Sequence, residues 1–153
     1  MIPSVRRTLH PAWYQGHGRR APYFEGWYYK LIDSSEQHRL AVIPGIFKGA
    51  EPASGHAFVQ VLDGISGEAT YHEYPSAAFQ AARQGLDVRV GPNRFTLRAV
   101  TLEIDTPRRS VRGTLRLSGL TPWPSTVTSP PVGPAPKSAT RLPAKTKIGR
   151  AHV

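Results

Sequence analysis

The 153-residue chain contains no cysteine and a single methionine. The first absence excludes a disulfide framework, a thiolate metal site and a cysteine nucleophile together. No apolar run approaches the roughly 20 residues that a membrane-spanning helix needs. The opening MIPSVRRTLHPAWYQG carries two arginines with no apolar stretch behind them, which argues against a secretory signal. A soluble cytoplasmic protein is the expectation. Acid is scarce too: ten Asp and Glu stand against 20 Lys and Arg, for a formal charge of +10. All the acids lie at or before Asp105, whereas Lys137, Arg141, Lys145, Lys147 and Arg150 sit in a stretch without any. A basic excess confined in this way, with no base-reading motif beside it, argues against nucleic acid as a partner.

Helical patterning is the next scarcity. Only Ser76 to Gln84 (SAAFQAARQ), with Gly85 as a stop, has room for two turns, and the same residues read equally well as a strand and loop. Elsewhere between Tyr23 and Leu120 the period is two, the signature of half-buried strands. Leu86, Val88 and Val90 alternate with Asp87 and Arg89; Val100, Leu102 and Ile104 alternate with Thr101, Glu103 and Asp105. Val111, Gly113, Leu115 and Leu117 share a third such face. Turn chemistry falls between the runs, in DSSEQ (33–37), DGISGE (63–68), GPN (91–93) and TPRR (106–109), while Pro44-Gly45 reads as a strand-ending turn. Short antiparallel strands so spaced predict an all-β meander curling into a barrel or sandwich. Small closed barrels commonly enclose an apolar ligand.

The stretch YFEGWYYK, Tyr23 to Lys30, carries the chemistry. On a strand, Tyr23, Glu25, Trp27, Tyr29 and Leu31 share one face, and Phe24, Gly26, Tyr28, Lys30 and Ile32 share the other. Glu25 then projects among rings. Two readings stand: Glu25 is an ion-pair or hydrogen-bond partner, for Arg19, Arg20 or Lys30, or it is a carboxyl group kept protonated by desolvation and used as a general acid. The histidines His10, His17, His38, His56 and His72 have no helical metal-site spacing, and no phosphate loop or nucleophile elbow is present, so neither a metal nor a cofactor is expected.

From Thr121 the chain reads TPWPSTVTSPPVGPAPKSATRLPAKTKIGRAHV, with seven of the fifteen prolines and neither period. Such a segment buries too little surface to offset its ordering entropy. The expected organisation is an extended segment over 1–22, a β domain over 23–120 and a disordered Pro-rich tail over 121–153.

Five ordered blocks then carry a resemblance: HPAWYQG from His10, YFEGWYYKL from Tyr23, LAVIPGI from Leu40, GHAFVQV from Gly55 and LTPWP from Leu120. Over residues 8–124 the chain resembles the amino-terminal half of the tocopherol cyclase family. The positions that match are His10, Pro11, Tyr14, Gly16, Phe24, Glu25, Gly26, Trp27, Tyr28, Lys30, Pro44, Gly45, His56, Phe58 and Gln60. The resemblance implies a lipocalin-like (calycin-type) antiparallel barrel or strongly curved sheet, the first of two. It also implies acid-catalysed closure of a prenylated quinol or related isoprenoid, by alkene protonation and attack of the phenol oxygen, without metal or redox cofactor. Such chemistry needs an acid in an apolar pocket and ring faces near a carbocation. Glu25 is the candidate general acid, and Tyr23, Trp27, Tyr29, His56, Phe58 and Gln60 are the candidate substrate-binding residues. The expected partner is an apolar small molecule, with peripheral membrane association left open, and a non-catalytic carrier in the same barrel is the competing expectation.

Two departures bear on this. Family members continue after the position of Pro124 into a Met-Glu-Cys-Tyr-His-Gly-type block and a second barrel, where this chain has SPPVGPAPKS. Ile148-Gly149-Arg150-Ala151-His152-Val153 resembles the translation of a widely used sequencing adapter. The expectation is thus a truncated, inactive piece of a longer parent, with exposed edges that favour aggregation.

Overall fold

In the computed structural model, residue 10 and residues 12–33, 35–107, 109–120 and 144–151 are described. Among them the strands are β1 (Tyr23–Asp33), β2 (Arg39–Lys48), β3 (His56–Asp63), β4 (Ala69–Pro75), β5 (Phe79–Ala81), β6 (Asp87–Val90), β7 (Asn93–Thr96), β8 (Ala99–Thr106), β9 (Arg109–Arg116) and β10 (Ala144–Ala151). Every pairing is antiparallel. The strands form two five-stranded sheets, in the orders β10-β1-β2-β3-β4 and β5-β6-β7-β8-β9. The all-β expectation holds, but the sheets pack face to face and do not close into a barrel. β4 ends at Pro75, and the chain makes a single 3-10 turn over Ser76–Ala78 and starts the second sheet. No helix among the described residues is long and apolar enough to cross a membrane.

The alternation seen in the sequence builds the core. Trp27, Tyr29, Val42, Ile46, Val59 and Val61 of the first sheet meet Val88, Val90, Phe95, Val100, Leu102 and Ile104 of the second. Burying each large apolar side chain contributes about 1.5–3 kcal/mol. Tyr29 tilts against Phe95 at 5.7 Å, and its hydroxyl donates to the Thr96 carbonyl across the sandwich at 3.4 Å. Asn93, fully buried, donates to the Tyr74 hydroxyl and the Val90 carbonyl and accepts from the Glu103 N–H, which pins one corner of the two sheets. Of the third alternating set, Leu117 is buried but Leu115 stays exposed, because β9 is an edge strand with a partner on one side only.

Two local expectations resolve differently, and a third falls mostly outside the described residues. Ser76 to Gln84 makes no α-helix: after the 3-10 turn at Ser76–Ala78 the strand-and-loop alternative is the one adopted, with Phe79 and Ala81 half-buried beside the core. Pro44-Gly45 is no turn either. Both lie inside β2, where the β1–β2 register skips Trp27–Pro44 and Tyr28–Ile43 because Pro44 has no N–H to give. Residues 121–143, 152 and 153 of the predicted disordered tail fall outside the described residues, but Ala144–Ala151 pairs along β1 from Asp33↔Ala144 to Gly26↔Ala151. The open edge of β1 supplies the reason: its ladder groups are satisfied only by another strand.

Gly45 faces Gly26 across β1 and β2. A Cβ there would run into the Phe58 ring and come within 2.8 Å of the Glu25 carbonyl oxygen. Gly45→Ala is expected to cost about 1–3 kcal/mol, read as a lower urea midpoint at unchanged m. A variant as stable as the parent would mean that β1 and β2 are not in this register.

Candidate functional site

β1 directs Tyr23, Glu25, Trp27, Tyr29 and Leu31 inward, as its alternation requires. Glu25 ends with 0% of its surface exposed. Burial of a carboxylate demands donors, and two come from close by. The Gln15 N–H reaches both carboxylate oxygens, at 3.0 and 3.2 Å, and the Tyr23 hydroxyl donates to Oε2 in a short hydrogen bond. Arg19 and Arg20 are exposed, and Lys30 lies on the opposite face of β1. The hydrogen-bond reading of Glu25 is therefore met by a backbone amide and a phenol.

Rings complete the surroundings. Tyr14 is buried between Tyr23 at 6.5 Å, Trp27 at 6.1 Å and Phe79 at 5.1 Å, and Trp27 stacks on Phe79 at 6.4 Å. Burial and then the Glu25 charge push the Tyr14 phenol up to about 12, so it stays a neutral donor at physiological pH. Lys48 closes the outer side: Nζ sits over the Tyr23 ring at 5.5 Å and donates to the Gly16 and Arg19 carbonyls at 2.8 and 3.3 Å. Trp27 Nε1 donates to the Ala12 carbonyl at 3.2 Å. Residues 12–19, expected to be a separate extended segment, are thus fastened over Glu25 by side chains of β1 and β2.

The named substrate-binding residues do not assemble in one place. Tyr23, Trp27 and Tyr29 join Glu25 on the inner face. His56, Phe58 and Gln60 share a face with one another, as alternation predicts, but it is the outer one, since Ala57, Val59 and Val61 fill the core. There Phe58 is sandwiched between Phe24 at 5.7 Å and Tyr71 at 5.1 Å, and His56 Nε2 meets the Tyr71 hydroxyl at 2.7 Å. Burial, then the Glu73 charge, raises the Tyr71 phenol above its ordinary value.

Gln15, Lys48 and Phe79 belong to the inner cluster although the sequence reading did not single them out. Lys48 was reachable: Leu40, Val42, Pro44, Ile46 and Lys48 form one period-2 row on the Glu25 side of β2. Phe79 was hidden by the helix-or-strand ambiguity of its segment, and Gln15 acts through its backbone, which no side-chain pattern reports. The histidines scatter: His10 stacks on Trp13, His17 meets the Ala82 carbonyl, and His72 is buried against Thr70. Among the described residues no three His, Asp or Glu side chains are grouped to hold a metal. No family model, curated protein or solved structure matches this chain.

Proposed function

We propose that this β-sandwich is part of a tocopherol-cyclase-like protein that cyclises a prenylated quinol or related isoprenoid, with Glu25 as the acid that protonates the alkene. The reading is supported above all by one observation: a fully buried carboxyl group hydrogen-bonded to a tyrosine hydroxyl, close to Tyr14 and on the same face of β1 as Trp27. In this reaction Glu25, a carboxylate while residues 12–19 cover it, takes up a proton from solvent and gives it to the less substituted alkene carbon. The phenol oxygen of the quinol attacks the resulting tertiary cation, and the phenolic proton returns to the Glu25 carboxylate, so the reaction is an isomerisation. The face of Trp27 stabilises the cation, and Tyr23 holds the carboxyl group in one orientation. Substrate reaches Glu25 only if residues 12–19 lift, which breaks the Gln15 contacts to both Glu25 oxygens, the Trp27 bond to Ala12 and the two Lys48 bonds.

A second reading is favoured by the Gln15 N–H, which already occupies both carboxylate oxygens. On that reading Glu25 is a fastening for the N-terminal segment and the domain is a non-catalytic carrier of an apolar ligand.

Anaerobic incubation of the full chain with a prenylated hydroquinone in D2O separates the two. Cyclisation predicts a chromanol product with one deuterium on the protonated carbon, lost by about 100-fold or more in Glu25→Gln. Quenching of tryptophan fluorescence by the quinol with no chromanol from the parent protein would instead establish the carrier.

A further inference from the structure

A second apolar surface lies on the opposite side of the first sheet from Glu25. Where the β1–β2 and β3–β4 connections approach each other, Tyr28, Lys30, Ile32, Arg39, Ala41 and Leu62 line an open groove of about 330 Å3, within the size range of small-ligand sites. The register explains it. Lys30, Ala41 and Leu62 lie in one row across β1, β2 and β3, and Ala41 is the small member, so the floor sinks between taller neighbours. One row further on come Tyr28, Ile43 and Gln60, and then Phe58, under the Phe24 and Tyr71 rings. A lane of aromatic and aliphatic side chains about 20 Å long, interrupted by Gln60, therefore runs from the groove at Lys30 to Phe24 on the outer face, six residues along β1.

The two ends of this lane carry opposite charge: Lys30 and Arg39 stand at one, and Glu73, paired with Phe58 in the register, stands at the other, where its charge acts on Tyr71. Lys30 is exposed and makes no ion pair among the described residues. Arg39 donates through Nε to the Glu36 carbonyl at 3.0 Å and approaches the Glu36 carboxylate at 3.9 Å, with both side chains about half exposed. Glu36 is the single acid at the groove. A cationic end joined to an aromatic and aliphatic track is complementary to a molecule with the opposite charge at one end and a long apolar remainder. The long stems of Lys30 and Arg39 can lie along the track while their heads remain wet.

We propose that this groove binds a single long-chain carboxylate, its head on Lys30 and Arg39 and its tail over Ala41 and Leu62 toward Tyr28 and Phe58. The site is separate from the Glu25 cluster, so its failure leaves the reading of that cluster standing.

Calorimetric titration of the full chain with dodecanoate, held below its micellar concentration, and with dodecanol tests this directly. One dodecanoate per chain is expected, at least about 10-fold tighter than dodecanol, the effect of a charge-assisted contact. Lys30→Gln and Arg39→Gln, both at exposed positions and checked by circular dichroism for an unchanged fold, should each weaken dodecanoate and leave dodecanol unaltered. Equal affinities for acid and alcohol, unchanged dodecanoate binding in both variants, or binding to anionic vesicles without binding to the monomeric acid would each overturn the proposal.

Discussion

Glu25→Ala is expected to release residues 12–19 from the sandwich and to lower the unfolding free energy by about 3–5 kcal/mol. The substitution removes the fully buried acceptor shared by the half-buried Gln15 N–H and Tyr23 hydroxyl. Donors stripped of a charged acceptor inside a protein lose strong bonds and keep their desolvation cost. For a domain whose whole stability is on the order of 5–15 kcal/mol, that is a large share. What remains to hold the segment is the Trp27 bond to Ala12, the Lys48 bonds to Gly16 and Arg19, and the packing of Tyr14. Two measurements check the outcome together: urea unfolding gives the energy, and limited trypsin digestion reads the segment, since Arg19 and Arg20 should be cut much faster in the variant. A loss below about 1 kcal/mol with unchanged cleavage would falsify the fastening role and strengthen the case that Glu25 is kept for chemistry.

How much of this was legible beforehand depends on what each pattern encodes. Alternation reports which residues share a face. For Val88 and Val90, or for Val100, Leu102 and Ile104, it also implies which face is inside, because the intervening residues are charged or polar and prefer water. In β3 the intervening residues are His56, Phe58 and Gln60, and in β1 both rows are aromatic. Either row could be the buried one on hydrophobicity alone, and the decision passes to packing against the second sheet. Trp27 and Tyr29 win because Phe79 and Phe95 stand opposite them, 50 and more residues away in the chain. The same limit explains Pro44-Gly45, where turn-forming composition was overruled by two flanking strands that between them supply partners for all of β2 except the missing proline N–H. Glu25 was legible as an acid among rings, yet its donors were not, since one is a main-chain amide.

The division into two faces makes the sharpest test of the architecture, because Trp27 and Phe58, grouped by the sequence as one ligand-binding set, should behave as independent core elements. Trp27→Ala is expected to cost about 3–5 kcal/mol, through its stack on Phe79, its contact with Tyr14 and its bond to Ala12. Phe58→Ala opens a separate hole between Phe24 and Tyr71 on the far side of the sheet. Neighbours couple and distant sites add. A double-mutant cycle of Trp27 with Phe79 should therefore show an interaction of about 0.5–1.5 kcal/mol, the usual worth of an aromatic pair. The cycle of Trp27 with Phe58 should close to within about 0.5 kcal/mol. Strong coupling in the second cycle would put both rings in one cavity, and with it would return His56 and Gln60 to the surroundings of Glu25. Additivity in the second and coupling in the first would leave any ligand of the outer face without access to the buried carboxyl group, whatever chemistry that group performs.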